Sequence, residues 1–244
     1  MGCLCKHSSH VSSLCYSVAE YCCPVWVRSS YTSLIDSQLH SSMRLISGCL
    51  HSTLVSWLPV LSNVAPSSLR CKAASNKMLQ IIEAHQIWSV YADVFRHPPP
   101  QLTSQHPIWS DMTPVDTTVQ WSEDWPSATV VSYTIVANPT IWQLGFDLSR
   151  QSWSLLNCLR TGQGPWHALL HKWDLAKSPT GDCGQQQTMS HIVDACPLTK
   201  FDGGLQLLHE AEDDTVKWLE SITTTAFAKW NEIPAWTKVA TLVC

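Results

Sequence analysis

Residues 146–164 read FDLSRQSWSLLNCLRTGQG. Leu148, Trp153, Leu156 and Leu159 recur at steps that gather on one side of a helix, and Asp147 or Ser149 stands where an N-cap belongs. Gly162 and Gly164 close the stretch, as glycine does just past a helix C-terminus. The same grammar continues on both sides. Residues 32–48, TSLIDSQLHSSMRLISG, place Leu34, Ile35, Leu39, Met43 and Ile46 close to one face, with Thr32 or Ser33 as the cap and Gly48 as the stop. Pro66 opens a further helical run through Leu69, Ala73, Leu79, Ile82 and Val90 to about Phe95. On the C-terminal side, Trp166, Leu169, Leu170 and Trp173 make another amphipathic turn. Val216, Leu219 and Ile222 line a helix over 212–222, whose first turn holds Asp213 and Asp214 at the positive end of the helix dipole. The expected fold is mainly α.

His97, Pro98, Pro99 and Pro100 interrupt this pattern. Residues 101–138 are rich in Ser, Thr, Pro and Trp and have no sustained period; at most, 130–136 reads as a short strand. The expected organisation is a helical segment over 1–96, a linker or extended arm lying over a neighbour at 97–144, a helical module over 145–230, and a tail at 231–244.

Composition bounds the function. The chain has 244 residues, of which 45% are hydrophobic, enough for a packed core. Only 14% are charged, against about a quarter in ordinary domains. Thirteen tryptophans beside 15 lysines and arginines imply that part of the surface packs against a partner. A net charge of −4 excludes a broad electrostatic footprint for tight duplex binding. Eleven cysteines leave at least one thiol unpaired, and MGCLCKHSSH lacks an apolar signal core. The expectation is a reducing, intracellular compartment, nucleus or cytoplasm, rather than secretion, with Cys15, Cys22, Cys49 and Cys71 as small buried hydrophobes. No apolar run is long enough to span a bilayer.

Gly2, Cys3 and Cys5 fit N-myristoylation plus palmitoylation, except that Lys6 stands where Ser or Thr is wanted. One alternative reading is therefore an acylated, membrane-associated interaction protein. Phosphate-cradling glycine loops and a nucleophile elbow are absent from the sequence.

The chemistry-bearing stretch is 181–197, GDCGQQQTMSHIVDACP. Cys183, His191 and Cys196 give C-x7-H-x4-C, thiolates and an imidazole close enough in sequence to converge on a zinc ion. A closed structural site needs four ligands, and Asp182 or His171 is the candidate for the fourth. Arg150 and Arg160 flank Trp153 on one helix, a pairing that suits single-stranded nucleic acid. The competing reading is two surface arginines with their stems lying on tryptophan.

These stretches carry a resemblance. Within 14–61, CYSVAEYCCPVW, SSYTSLIDSQLHSSMRLISGCL and LPVL are similar to the thumb-side sequence that follows the palm in non-LTR (LINE-type) retrotransposon reverse transcriptases. Within 145–208, FDLSRQSWSLLNCLRTGQG, LHKWDLA and CGQQQTMSHIVDACPLTKF resemble the C-terminal end of the same polyproteins. The second block combines Asn-x-x-Arg-Thr-Gly with Cys-Gly and His-Ile-x-x-x-Cys-Pro. The resemblance implies a thumb-like segment followed by a C-x-C-x7-H-x4-C knuckle, in which Gly181 occupies the place of the first cysteine. The parent activity it implies is RNA-directed DNA polymerase, whose metal-binding aspartates lie in an upstream palm outside these residues. Asp213 and Asp214 follow the knuckle and read as a helix start, not as that pair. The chain itself is expected to be non-catalytic, to bind RNA or DNA weakly, and to pair with the missing palm. The remaining alternative is a decayed open reading frame without a selected role.

Overall fold

The computed structural model describes residues 16–21, 23–26, 31–96, 113, 116–130 and 132–231. In chain order the helices are α1 (Cys23–Trp26), α2 (Thr32–Ser47), α3 (Trp57–Ser62), α4 (Ser67–Ala84), α5 (Thr117–Asp124), α6 (Arg150–Thr161), α7 (His167–Lys172), α8 (Gly204–Glu210) and α9 (Asp213–Asn231). The fold is mainly α. Among the described residues the one β-type pairing is an isolated bridge between Thr180 and Gln186.

Helix α2 ends where its sequence says it should. Gly48 takes φ 70° and donates its N–H to Arg44 O at 2.8 Å. A Cβ built there would lie 2.0 Å from Ser154 Oγ of α6, so glycine both stops the helix and lets α6 approach it. Gly48→Ala is expected to lower stability by about 2 kcal/mol, from the left-handed backbone and the clash together. A urea midpoint that stayed put would refute this. The start of α2 differs from expectation. Neither Thr32 nor Ser33 caps it; the N-cap is Tyr31 and makes no side-chain cap bond, while Thr32 Oγ1 donates to Trp26 O at 3.4 Å. Leu39, Met43 and Ile46 are buried, but Leu34, one turn from the start, is 64% exposed.

Helix α4 begins one residue after Pro66 and stops at Ala84, short of the expected Phe95. The break lies at His85, whose ring stacks on Trp88 with centroids 4.5 Å apart and holds Ile81 O at 2.7 Å through Nδ1. The helical path resumes as Ser89–Tyr91 and a π-turn over Ala92–Arg96. At its other end, α4 holds the segment 16–21 through a Glu20–Arg70 ion pair, with the Arg70 guanidinium 4.4 Å from the Tyr16 ring centroid.

The stretch expected to be a linker or an extended arm lying over a neighbour packs, in its described part, against the first helices. Asp116 caps α5, accepting from the N–H groups of Thr118 (2.9 Å) and Val119 (3.2 Å). Trp121 and Trp125 of this stretch are buried with Leu39, Met43, Trp57 and Leu58 in the first of two apolar cores. Trp125 meets the Trp57 ring edge-on at 5.3 Å and donates its indole N–H to Val136 O at 3.0 Å. Residues 130–136 form no strand, since Tyr133–Ile135 is a 3-10 turn. Two tryptophans at the end of a short capped helix give enough buried area to anchor the segment without any period for the sequence to reveal. The proline run at 97–100 and the rest of the stretch to 112 lie outside the described residues.

Helix α6 is the hub of the second core. Ser149, not Asp147, is its cap, accepting from Ser152 N at 3.2 Å, and Gly162 closes it at φ 66°. Leu155, Leu156 and Leu159 have no exposed surface and pack with Ile192, Leu208 and Leu219. The two cores meet at the end of α2. Arg150 donates to Leu45 O and, at 2.5 Å, to Ile46 O, and Asn157 Nδ2 donates to Ser47 O at 2.8 Å. These are carbonyls that a helix end leaves unpaired, at the negative end of its dipole.

The last helix starts at Asp213 and runs beyond the expected 222 to Asn231, with Lys217 reaching Asp214 at 3.1 Å. The tail after it lies outside the described residues, as do Gly2, Cys3, Cys5, Cys15 and Cys22. Cys49 and Cys71 are buried as expected, and the described cysteines are free thiols. Among the described residues no helix is long and apolar enough to cross a membrane.

Candidate metal centre

Three short pieces of chain bring the expected ligands together. Cys183 sits on a tight turn in which Gly181 N donates to Gln185 O (2.8 Å) and Gly184 N to Gly181 O (3.0 Å). Gly184 adopts φ 78°, a left-handed conformation that glycine supplies without strain. Gln187 fastens the turn to α7, its side chain accepting from His167 N at 3.0 Å and its backbone O from Ala168 N at 3.2 Å.

His191 opens the π-turn His191–Ala195, its N–H donated to Thr188 Oγ1 at 3.2 Å. Ile192 and Val193 of that turn sink into the second core, which fixes the direction of the neighbouring imidazole. Cys196 ends the turn, its N–H donated to His191 O at 2.7 Å. The segment beyond is pinned by Trp218 Nε1 donating to Thr199 O at 2.7 Å and by Phe201 N donating to Val193 O at 2.8 Å. The supporting residues Thr188, Gln187 and Thr199 were not singled out by sequence. Thr188, three positions before His191, matches the spacing of a hydroxyl cap and could have been.

The ligand atoms of Cys183, His191 and Cys196 all lie within 4.8 Å of one another, and Cys183 Sγ is 3.1 Å from His191 Nε2. Zinc bonds of about 2.3 Å to sulfur and 2.0 Å to nitrogen put tetrahedral ligand pairs roughly 3.6–3.8 Å apart. The Cys183–His191 pair, at 3.1 Å, is closer than this, so those two side chains must part slightly to admit the ion, and the donor types suit zinc. Burial pushes the Cys196 thiol up. The Thr199 hydroxyl, the backbone N–H groups of Leu198 and Thr199, and Cys183 more than offset this, so its pKa is lowered overall. That favours the thiolate, the form that binds metal. Neither Asp182 nor His171 belongs to the cluster, so the expected fourth donor is not supplied by either.

The residues expected to meet nucleic acid are placed differently. Arg160 and Trp153 are buried, with 0% and 1% exposure, and neither faces solvent. Arg160 Nε donates to His209 Nδ1 (3.0 Å), Nη1 to Asn157 Oδ1 (3.1 Å), and Nη2 to Leu144 O (2.6 Å) and His209 O (3.2 Å). Its guanidinium lies 5.4 Å from the Trp153 ring centroid, so the arginine–tryptophan pairing exists, but inside the core. Arg150 is spent on the end of α2. The local sequence could not reveal this, because three of the four acceptors of Arg160, on Leu144 and His209, lie outside α6.

No protein-family model matches the chain, and no curated protein and no solved structure matches it.

Proposed function

We propose that this chain is a non-catalytic, zinc-holding helical module of the kind found at the thumb-and-knuckle end of non-LTR retrotransposon reverse transcriptases. In this reading it binds RNA or DNA weakly inside the cell, and the RNA-directed DNA polymerase chemistry belongs to a palm outside these residues. The single observation that carries the reading is the convergence of Cys183, His191 and Cys196 within 4.8 Å. When bound, the zinc ion supplies a structural crosslink between the turn at Cys183 and the segment at 191–196. Cys183 and Cys196 contribute thiolates, His191 an imidazole, and Ile192 and Val193 hold the segment against the second core.

The fate of the arginines supports weak rather than tight nucleic-acid binding. Arg150 and Arg160 are committed to the fold, and the net charge of −4 supplies little phosphate attraction. A partner palm fits the exposed apolar side chains of the first segment, among them Tyr21, Leu34 and Leu45, which are 88%, 64% and 59% exposed.

The test is zinc per chain on anaerobically purified protein, beside Cys183→Ser. The expected result is close to one zinc in the parent and a loss of most of it in the variant. Metal-free parent protein would refute the module and leave the decayed reading frame as the better account.

A further inference from the structure

We propose that the fourth coordination position of the Cys183–His191–Cys196 centre is open to an exchangeable ligand from outside the chain, a small soft donor of the thiolate class. This rests on the zinc reading above. Three donors converge, and among the described residues no other His, Cys, Asp or Glu brings a ligand atom into the group. A closed zinc site has four protein donors, whereas a site with three keeps a position for an outside ligand.

The surroundings fix which side is open. Ile192 and Val193 seal the inner side, being 4% and 0% exposed, and Cys196 is 5% exposed. The outer side belongs to Cys183, which is only partly buried, between the exposed residues Asp182 and Gly184. A Cβ built on Gly184 would meet nothing within 4 Å, so there is free volume beside the Cys183 turn. At Gly181, by contrast, a built Cβ would lie 3.2 Å from the Gln187 side chain. Free space thus lies at Gly184, on the solvent side of the turn.

Charge and softness narrow the ligand. Two thiolates and one neutral imidazole balance a divalent zinc ion, so the centre neither needs a third strong anion nor strongly repels one. Sulfur already forms two of the three donors, and a further thiolate is the natural completion for zinc. Asp182, Gly184, Gln185 and Gln186, which flank Cys183 on the open side, are exposed, which leaves room for a low-molecular-weight thiol.

The experiment uses the whole chain, purified anaerobically and loaded with cobalt(II) in place of zinc. 2-Mercaptoethanol is titrated in while visible absorption and sedimentation are followed. The expected result is a saturable shift of the cobalt ligand-field band, reversed on removing the thiol, with the chain monomeric and the metal retained. A band that ignores excess thiol would mean that the fourth position takes no outside thiol, whether water or a donor of the chain fills it, and would overturn the proposal. A band that changes only as a dimer dissociates would assign that donor to a second copy, and would overturn it equally. Failure to take up cobalt at all would defeat the metal reading itself, and so separates the two claims.

Discussion

Arg160→Met is expected to lower the stability of the chain by about 3–5 kcal/mol, measured as the shift of the urea unfolding midpoint at neutral pH. Arg160 is fully buried, and its guanidinium donates to four acceptors that come from three places in the chain: α6 itself, the residue Leu144 before it, and His209 at the end of α8. Burial pulls its pKa down to about 9, which still leaves it charged at neutral pH. Methionine keeps most of the stem volume, so little of the loss comes from a void. What remains is a set of buried acceptors without donors, each costing about 1–3 kcal/mol, partly offset by no longer burying a charge. The sum is a large fraction of the 5–15 kcal/mol typical of whole domains. Arg160→Lys should recover only part of it, because one ammonium on a flexible stem cannot span acceptors arranged for a planar fork. An exposed control, Lys217→Met, should stay within about 0.5 kcal/mol. If Arg160→Met matched that control, the buried network would have no energetic role.

The same arginine shows why the sequence was legible in some places and opaque in others. Helix ends written in local chemistry could be read directly. Gly48 and Gly162 stop α2 and α6, and Ser149 caps α6, because each of these functions involves only the nearest turn. The ligand cluster was legible for a related reason: Cys183, His191 and Cys196 share one short stretch, so spacing constrains their geometry. Some local readings failed, as at the start of α2 and the end of α4, but the larger failures were inferences that depend on distant partners. An arginine late in a helix looks solvent-facing until His209 and Leu144 are brought beside it. Trp121 and Trp125 sit in a stretch without periodicity, and only the presence of Trp57 and Val136 turns them into core. Periodicity reports a buried face repeated along an element. It is silent about one or two large side chains that anchor an irregular segment.

A second large effect is expected on acidification, and it isolates His209. This residue is 7% exposed, and burial first, then the nearby Arg160 charge, holds its pKa down to about 4 against an ordinary 6.5. Arg160 donates to Nδ1, so the neutral ring carries its proton on Nε2, and protonating Nδ1 would set two donors against each other. Above pH 6.5 both folded and unfolded chains hold this histidine neutral, and its contribution to stability is fully present. As the pH falls, the unfolded state takes up the proton near 6.5 while the folded state resists until about 4, so stability is lost across that window. The difference of about 2.5 pK units corresponds to roughly 3 kcal/mol in full. His40, also lowered by burial, adds a loss of the same sign, so the parent slope alone is not diagnostic. The informative variant is His209→Asn, whose side-chain oxygen can still accept from Arg160 but does not titrate. Both chains should carry Cys183→Ser, so that acid release of bound metal does not contribute. Urea midpoints between pH 7 and 4 should fall steeply in the parent background and markedly less in His209→Asn. Parallel slopes would mean that the imidazole is not held neutral in the core, and that the Arg160 network tolerates a second positive charge.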